Sequence, residues 1–314
     1  MNHIKNARII DMLSTAFGKE IQHYLADDGV VEIMLNPNGQ LWIDQLNKGR
    51  SYTGHNISSN NAQIIIRVIS SLSNKICNRD NPTVSAELPE SGARFQGVLP
   101  PVTNKPSFNI RKKAISVFTL DNYIKKKIMT EKEAQIIKDK VQNKCNILIS
   151  GGAGTGKTTL ANAILDEVSK TYDRLVIIED TLEMQCTAKD FITLKTTDSH
   201  DINDLLKVSL RLKPERIVVG EIRSGEALSL LKAWNTGHPG GLCTIHANSA
   251  HEALTRIEQL IQEVVASIPY NLIASTINTI ISISKVNNNI LLNDILTVDK
   301  YDPIKNEYIT TKIN

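Results

Sequence analysis

Asn146-Ile147-Leu148-Ile149-Ser150-Gly151-Gly152-Ala153-Gly154-Thr155-Gly156-Lys157-Thr158-Thr159-Leu160 is the stretch on which the fold of this chain turns. An apolar strand, Asn146 to Ser150, runs into Gly151-x-x-x-x-Gly156-Lys157-Thr158, and a helical pattern from Lys157 to Val168 follows directly. That order of strand, glycine loop and helix is the context a P-loop requires. Glycines let the backbone wrap closely round phosphates and aim N–H groups inward, and the helix N-terminus adds partial positive charge. Gly152, Ala153, Gly154, Thr155, Gly156, Lys157, Thr158 and Thr159 are the candidate nucleotide-binding residues. Lys157 is expected to reach the β- and γ-phosphates and the Thr158 hydroxyl to ligate Mg²⁺, so ATP and Mg²⁺ are the implied cofactors.

Outward from this loop, further apolar strands are predicted at Leu175 to Ile178, Ile217 to Val219 and Leu242 to Ile245. Helical segments separate them near Ile202 to Leu212 and Gly225 to Trp234, with another from Ala250 to Val264. Such alternation implies a largely parallel sheet with helices on both faces. Thr130 and Glu133 form a capping-box signature for a helix over Glu131 to Gln142.

The chain before this region reads differently. Ile10, Leu13, Phe17, Ile21 and Tyr24 recur at helical spacing, Val30 to Leu35 and Leu41 to Ile43 flank the turn Asn36-Pro37-Asn38-Gly39, and a helix is predicted over Asn61 to Leu72. Short strands follow at Thr83 to Leu88, Arg94 to Leu99 and Ser107 to Arg111. The organisation expected is therefore a small α+β domain over residues 1–112, a linker over 113–118 and an α/β domain over 119–314.

Two carboxylates stand where doubly wound sheets bind ligands, at the C-terminal ends of strands. Arg216-Ile217-Val218-Val219-Gly220-Glu221 delivers Glu221, suited to Mg²⁺ or water, and Leu175-Val176-Ile177-Ile178-Glu179-Asp180 delivers Glu179. Spacing alone leaves open whether Glu179 or Glu221 is the general base, and Asp180 and Glu183 serve equally well as helix caps or loop salt bridges. Thr236-Gly237-His238-Pro239-Gly240-Gly241-Leu242-Cys243-Thr244-Ile245-His246-Ala247-Asn248 puts His238 before a strand and His246 at its end, on the same edge as Glu221. A donor such as His246 can couple the γ-phosphate to the next helix. Arg94 and Arg111 lie on first-domain strands, where surface charge or a salt bridge is the simple expectation, and Arg211 and Arg223 flank the Glu221 strand, from which they could reach phosphate within the subunit or across an interface.

Together, the P-loop, Ile178-Glu179-Asp180-Thr181, Val219-Gly220-Glu221-Ile222-Arg223 and Gly237-His238-Pro239-Gly240…Thr244-Ile245-His246-Ala247-Asn248 resemble the Walker A, Asp box, Walker B and His box of the traffic ATPases of bacterial type II and type IV secretion systems. The resemblance extends to Gly92-Ala93-Arg94-Phe95-Gln96-Gly97-Val98-Leu99-Pro100-Pro101 and Ser107-Phe108-Asn109-Ile110-Arg111-Lys112. His246-Ala247-Asn248 and Ala266-Ser267-Ile268-Pro269 point within the family to its conjugative-transfer branch.

The resemblance implies a RecA-like ATPase domain behind the α+β domain, with Lys157 and Thr158 on phosphate and Mg²⁺. Glu179 and Glu221 would position metal and water, and His246 would be the nucleotide-linked histidine. Arg94 and Arg111 would approach the nucleotide from the first domain. It further implies a hexameric ring, a cytoplasmic protein peripheral to the inner membrane and docked on channel proteins, driving DNA transfer, pilus biogenesis or secretion. Pilus extension or retraction is the alternative role within the superfamily. A DNA-acting P-loop translocase and a nucleotide-binding scaffold without turnover are alternatives outside it.

Composition narrows these choices. Of 314 residues, 41% are hydrophobic and 22% charged, a balance that folds. The formal net charge of +3 is too small to mark a nucleic-acid binder, and basic residues cluster only at Lys125-Lys126-Lys127 and Arg111-Lys112-Lys113, so no direct sequence-specific nucleic-acid binding is expected. Cys77, Cys145, Cys186 and Cys243 are too scattered for a zinc site or disulfide framework. The N-terminus carries no signal-peptide pattern, and the apolar stretch Val264 to Ile283 is too interrupted by polar residues for a bilayer helix.

Overall fold

A computed structural model describes residues 2–46, 48–113, 118–286 and 289–313, with side chains from residue 11 onward. It divides into two compact units, residues 1–115 and 116–314. Most of the predicted linker, residues 114–117, and the side chain of Ile10 lie outside the described residues.

The first unit runs α1 (Asn2–Ala26), β1 (Val30–Leu35), β2 (Gln40–Gln45), β3 (Gly49–Asn56), α2 (Ser59–Leu72), β4 (Thr83–Glu87), β5 (Arg94–Val98) and β6 (Ser107–Arg111). Its six-stranded sheet has the order β3-β2-β1-β6-β5-β4, with every neighbouring pair antiparallel. Period-two alternation sends Ile33, Leu35, Leu41, Ile43, Phe95, Phe108 and Ile110 to one face. There they bury against Leu13, Phe17 and Ile21 of α1 and Ile65, Ile66 and Ile69 of α2. The expected helical stripe is thus core, though α1 is kinked at Gly18, whose φ of 68° and ψ of 177° suit glycine alone. Strand β3 was not anticipated from sequence, because as an edge strand it exposes six of its eight residues and carries no apolar alternation.

The second unit begins with α3 (Leu120–Lys125) and α4 (Glu131–Gln142), whose capping box between Thr130 and Glu133 forms as predicted. It continues with β7 (Ile147–Ser150), α5 (Lys157–Ser169), β8 (Leu175–Glu179), β9 (Phe191–Lys195), α6 (Ile202–Ser209) and β10 (Arg216–Ile222). Then come α7 (Glu226–Asn235), β11 (Leu242–Ile245), α8 (Ala250–Gln262), α9 (Tyr270–Thr276), β12 (Thr279–Val286), β13 (Asn289–Asp302) and β14 (Glu307–Lys312).

The eight-stranded sheet has the order β14-β13-β12-β7-β11-β10-β8-β9. From β12 to β9 every pair is parallel, and the last two strands join as antiparallel hairpins. Because its central strands are buried on both faces, they read as unbroken apolar runs. Leu120, Ile137, Leu160 and Ile164 cover one face, and Leu205, Leu231, Leu254 and Ile273 cover the other. This is the α/β, parallel-rich RecA-like arrangement expected. Among the described residues no helix is long and apolar enough to cross a membrane.

The topology brings the C-terminal ends of β7, β8, β10 and β11 to one edge. A bulge sharpens this at β10. Val219 pairs with Cys243 and Ile222 with Ile245, so three steps on β10 oppose two on β11, and Gly220-Glu221 lies at the irregularity. Bulges re-aim side chains at sheet edges, here that of Glu221.

Candidate nucleotide site

Strand β7 is wholly buried and leads from Ser150 into Gly151, where space is short. A Cβ added to Gly151 would sit 2.6 Å from Thr155 Oγ1 and 2.7 Å from the carbonyl oxygen of Ile283. Gly154 and Gly156 have φ of 69° and 88°, left-handed values that other residues adopt with strain. Thr155 Oγ1 donates to the Gly152 carbonyl at 3.0 Å, closing the loop on itself. Ala153 and Gly154 are exposed, while Thr158 and Thr159 are half-buried in the first turn of α5. Close packing behind and an open rim in front make a cradle of the kind phosphate needs, and the Lys157 ammonium with the Thr158 hydroxyl oxygen fit a nucleotide with Mg²⁺.

Lys157 is 93% buried, an unusual place for a lysine. Its ammonium donates to the carbonyls of Gly151 and Gly152, both at 2.9 Å, and lies 3.1 Å from His246 Nδ1. An ammonium has only protons to give, so Nδ1 accepts and the imidazole proton belongs to Nε2. His246 Nε2 in turn lies 2.8 Å from Glu221 Oε1. The His246 pKa is held below the ordinary imidazole value, first by burial and then by Lys157, Arg223 and Arg256, while Glu221 pulls it upward. A neutral ring between an ammonium and a carboxylate is the arrangement these distances require.

Glu221 meets Arg223 through its other oxygen. Arg223 Nε and Nη2 lie 2.7 and 2.6 Å from Glu221 Oε2, and Arg223 Nη1 is 3.5 Å from Asp180 Oδ2. Glu179 is nearly fully buried, and its Oε1 accepts the backbone N–H groups of Glu183 and Met184 at 2.9 and 2.8 Å. Gly220 explains why a glycine precedes Glu221, since a Cβ there would press to 3.2 Å from Glu179 Cγ.

The structure therefore brings His246 into contact with both Lys157 and Glu221 and sets Glu179 beside Gly220. His238 stays outside, its Nδ1 donating to the Pro214 carbonyl at 2.9 Å as a loop tie. Arg94 and Arg111 are directly opposed across β5 and β6 in the first unit, where Arg111 Nε is 3.7 Å from Glu32.

Several supporting residues escaped the sequence reading. Glu226 is buried and accepts the N–H groups of Arg223 and Ser224 at 2.6 and 3.0 Å. Burial opposes its charge, but those bonds and the Ser224 hydroxyl hold its carboxyl below the usual range. Asn162 of α5 bonds the Glu183 carbonyl and the Gln185 N–H at 3.1 and 2.9 Å. Only Glu226 had a usable signal, an acidic residue opening a helix just after Gly225.

Residues 24–290 match the family described as Type II/IV secretion system protein. The chain is 44% identical over 296 residues to a probable conjugal transfer protein TrbB of Sinorhizobium fredii, covering 94% of this chain and 91% of that one. It is 28% identical to the type IV secretion system protein VirB11 of Bartonella henselae, covering 77% and 79%. Among solved structures, the pilus retraction motor PilT with bound ADP superposes with a TM-score of 0.63 at 19% identity, covering 91% of this chain and 84% of that one. The Legionella pneumophila ATPase DotB superposes with a TM-score of 0.60 at 17% identity, covering 90% and 80%. At these identities the structures speak for the fold.

Proposed function

The chain belongs to the type II/IV secretion system protein family, and from that membership and the site's chemistry we propose that it is an ATP-hydrolysing traffic motor of a conjugative or type IV secretion apparatus. The observation that carries the enzymatic part is the Lys157–His246–Glu221 contact at the mouth of the P-loop. The reaction is ATP + water to ADP + phosphate.

Lys157 and the loop amides from Gly152 to Thr159 hold the phosphates. Thr158 and Glu221 would hold Mg²⁺, which would supply positive charge against the phosphates. Glu179 and Glu221 are the acidic groups that orient water, and His246 links phosphate state to the segment entering α8. Arg94 and Arg111 add cationic groups from the first domain. A homo-hexameric ring, cytoplasmic and peripheral to the inner membrane, working on channel proteins of the apparatus, completes the reading.

The 44% and 42% identities to proteins named for conjugal transfer favour that role over pilus extension or retraction. Phosphate release by the purified protein, with and without Mg²⁺ and beside Lys157→Ala, tests the enzyme. Solution mass tests the ring. Loss of mating with surface twitching intact in a deletion strain separates the two cellular roles, and the opposite result removes the conjugative one.

A further inference from the structure

A circuit of polar contacts begins and ends on helix α5. From Lys157 it passes through His246 to Glu221, at 3.1 and 2.8 Å, and from Glu221 through the Arg223 fork to Asp180. Asp180 adjoins Glu179, whose Oε1 holds the N–H groups of Glu183 and Met184. Asn162, on α5 again, grips the same loop at Glu183 and Gln185.

We propose that Arg223 is the positioning residue of this site, fixing Glu221 against His246 and tying it to the 180–185 loop, so that the loop and the P-loop helix act on one carboxylate. The inference rests on the reading of the site as an ATPase.

The geometry assigns the two Glu221 oxygens separately. Both Arg223 donors converge on Oε2, at 2.7 and 2.6 Å, which leaves Oε1 to His246. A planar guanidinium can make that fork, and a lysine ammonium cannot. The backbone beneath is fixed too. The Arg223 N–H donates to buried Glu226 at 2.6 Å, and a Cβ at Gly225 would fall 2.2 Å from Val264 Cγ1, so residues 223–225 have little room to shift.

Arg223 and Asp180 have side chains 56% and 39% exposed, and exposed pairs contribute little to stability. Removal should therefore disturb orientation rather than folding. The rival role, an arginine that contacts phosphate, predicts weaker nucleotide binding instead.

The test compares Arg223→Ala, Arg223→Lys and Asp180→Ala with the unaltered protein. Phosphate release is followed at limiting and saturating Mg-ATP, affinity with a fluorescent ATP analogue, and amide hydrogen exchange over residues 181–186. We expect Arg223→Ala to lose about tenfold in kcat, to bind the analogue within about threefold of the unaltered protein, and to exchange faster over 181–186 at an unchanged melting temperature. Arg223→Lys should recover part of kcat, and Asp180→Ala should reproduce the faster exchange with a smaller kcat loss because the fork on Glu221 persists. An unchanged kcat in Arg223→Ala, or a loss confined to affinity, overturns the proposal. If the unaltered protein releases no phosphate, the ATPase reading fails by itself. Exchange then decides the positioning role: faster exchange over 181–186 in Arg223→Ala upholds it, and unchanged exchange overturns it.

Discussion

His246 Nδ1 lies 3.1 Å from Lys157 Nζ, so the histidine after β11 and the lysine that opens α5 are joined by one hydrogen bond. The bond exists only while the imidazole is neutral, and the site keeps it so through burial and the nearby Lys157, Arg223 and Arg256. The folded pKa lies below the unfolded value of 6.5, so the unfolded chain takes up the proton first as pH falls. This residue's contribution to stability is complete above that value and declines below it. Turnover should fall on the same acid side, because protonation removes the Nδ1 lone pair. A kcat–pH profile of His246→Gln should be lower by about tenfold at pH 8 and lack that acid limb; an unaltered limb would remove His246 from the mechanism.

Lys157→Ala takes away the charge at the cradle and two bonds to loop carbonyls at 2.9 Å. Phosphate release should drop by at least about a hundredfold, and chelating Mg²⁺ should have a comparable effect on the unaltered protein. Undiminished turnover in the folded variant would sink the P-loop assignment.

Gly220→Ala puts a methyl group 3.2 Å from Glu179 Cγ. Stability should fall by about 1 kcal/mol and turnover with it, as the buried carboxylate is displaced. Gly220→Asp, which adds bulk and a second charge beside the buried Glu179, should be worse. Denaturant melts and kcat measured on both variants check the order.

Arg216 is buried at the far end of β10, with Nε 2.6 Å from Asp173 Oδ2 and bonds to the carbonyls of Val141 and Gly240 at 3.0 and 3.3 Å. Arg216→Ala should cost about 3–5 kcal/mol in urea unfolding, because among the described residues Asp173 then keeps one cationic contact, Lys144 at 2.8 Å. Burial opposes the Asp173 charge, but bonds from Lys144, Arg216 and Thr171 hold its carboxyl below the ordinary carboxylate value of 3.8. Its contribution is therefore present above that pH and lost as acid protonates it. A smaller acid-induced loss of stability in Asp173→Asn is the expected signature.

The sequence alone shows the alternation from Asn146 to Ile245 and the P-loop pattern within it. Strands buried on both faces must be apolar throughout, and a loop that folds round phosphate must be glycine-rich. It also put Glu179, Glu221 and His246 at strand ends. Strands with little or broken apolar alternation were not readable: β3 and β9 are edge strands with mostly exposed residues, and β13, although it buries Ile295, Leu296 and Val298, mixes Asn and Asp with its apolar positions.

That β7 runs between β11 and β12 is visible in the fold and not in the chain, because strand order depends on contacts between segments far apart in sequence. That order brings His246, 89 residues after Lys157, within hydrogen-bonding distance of it. The contacts of Glu179 with its own loop and of Arg223 with Glu221 are local in the chain, and there the backbone conformation at the strand ends chooses the partner. Spacing along a chain fixes which end of a strand a side chain occupies, but the partner of that side chain is set by which strands lie next to each other.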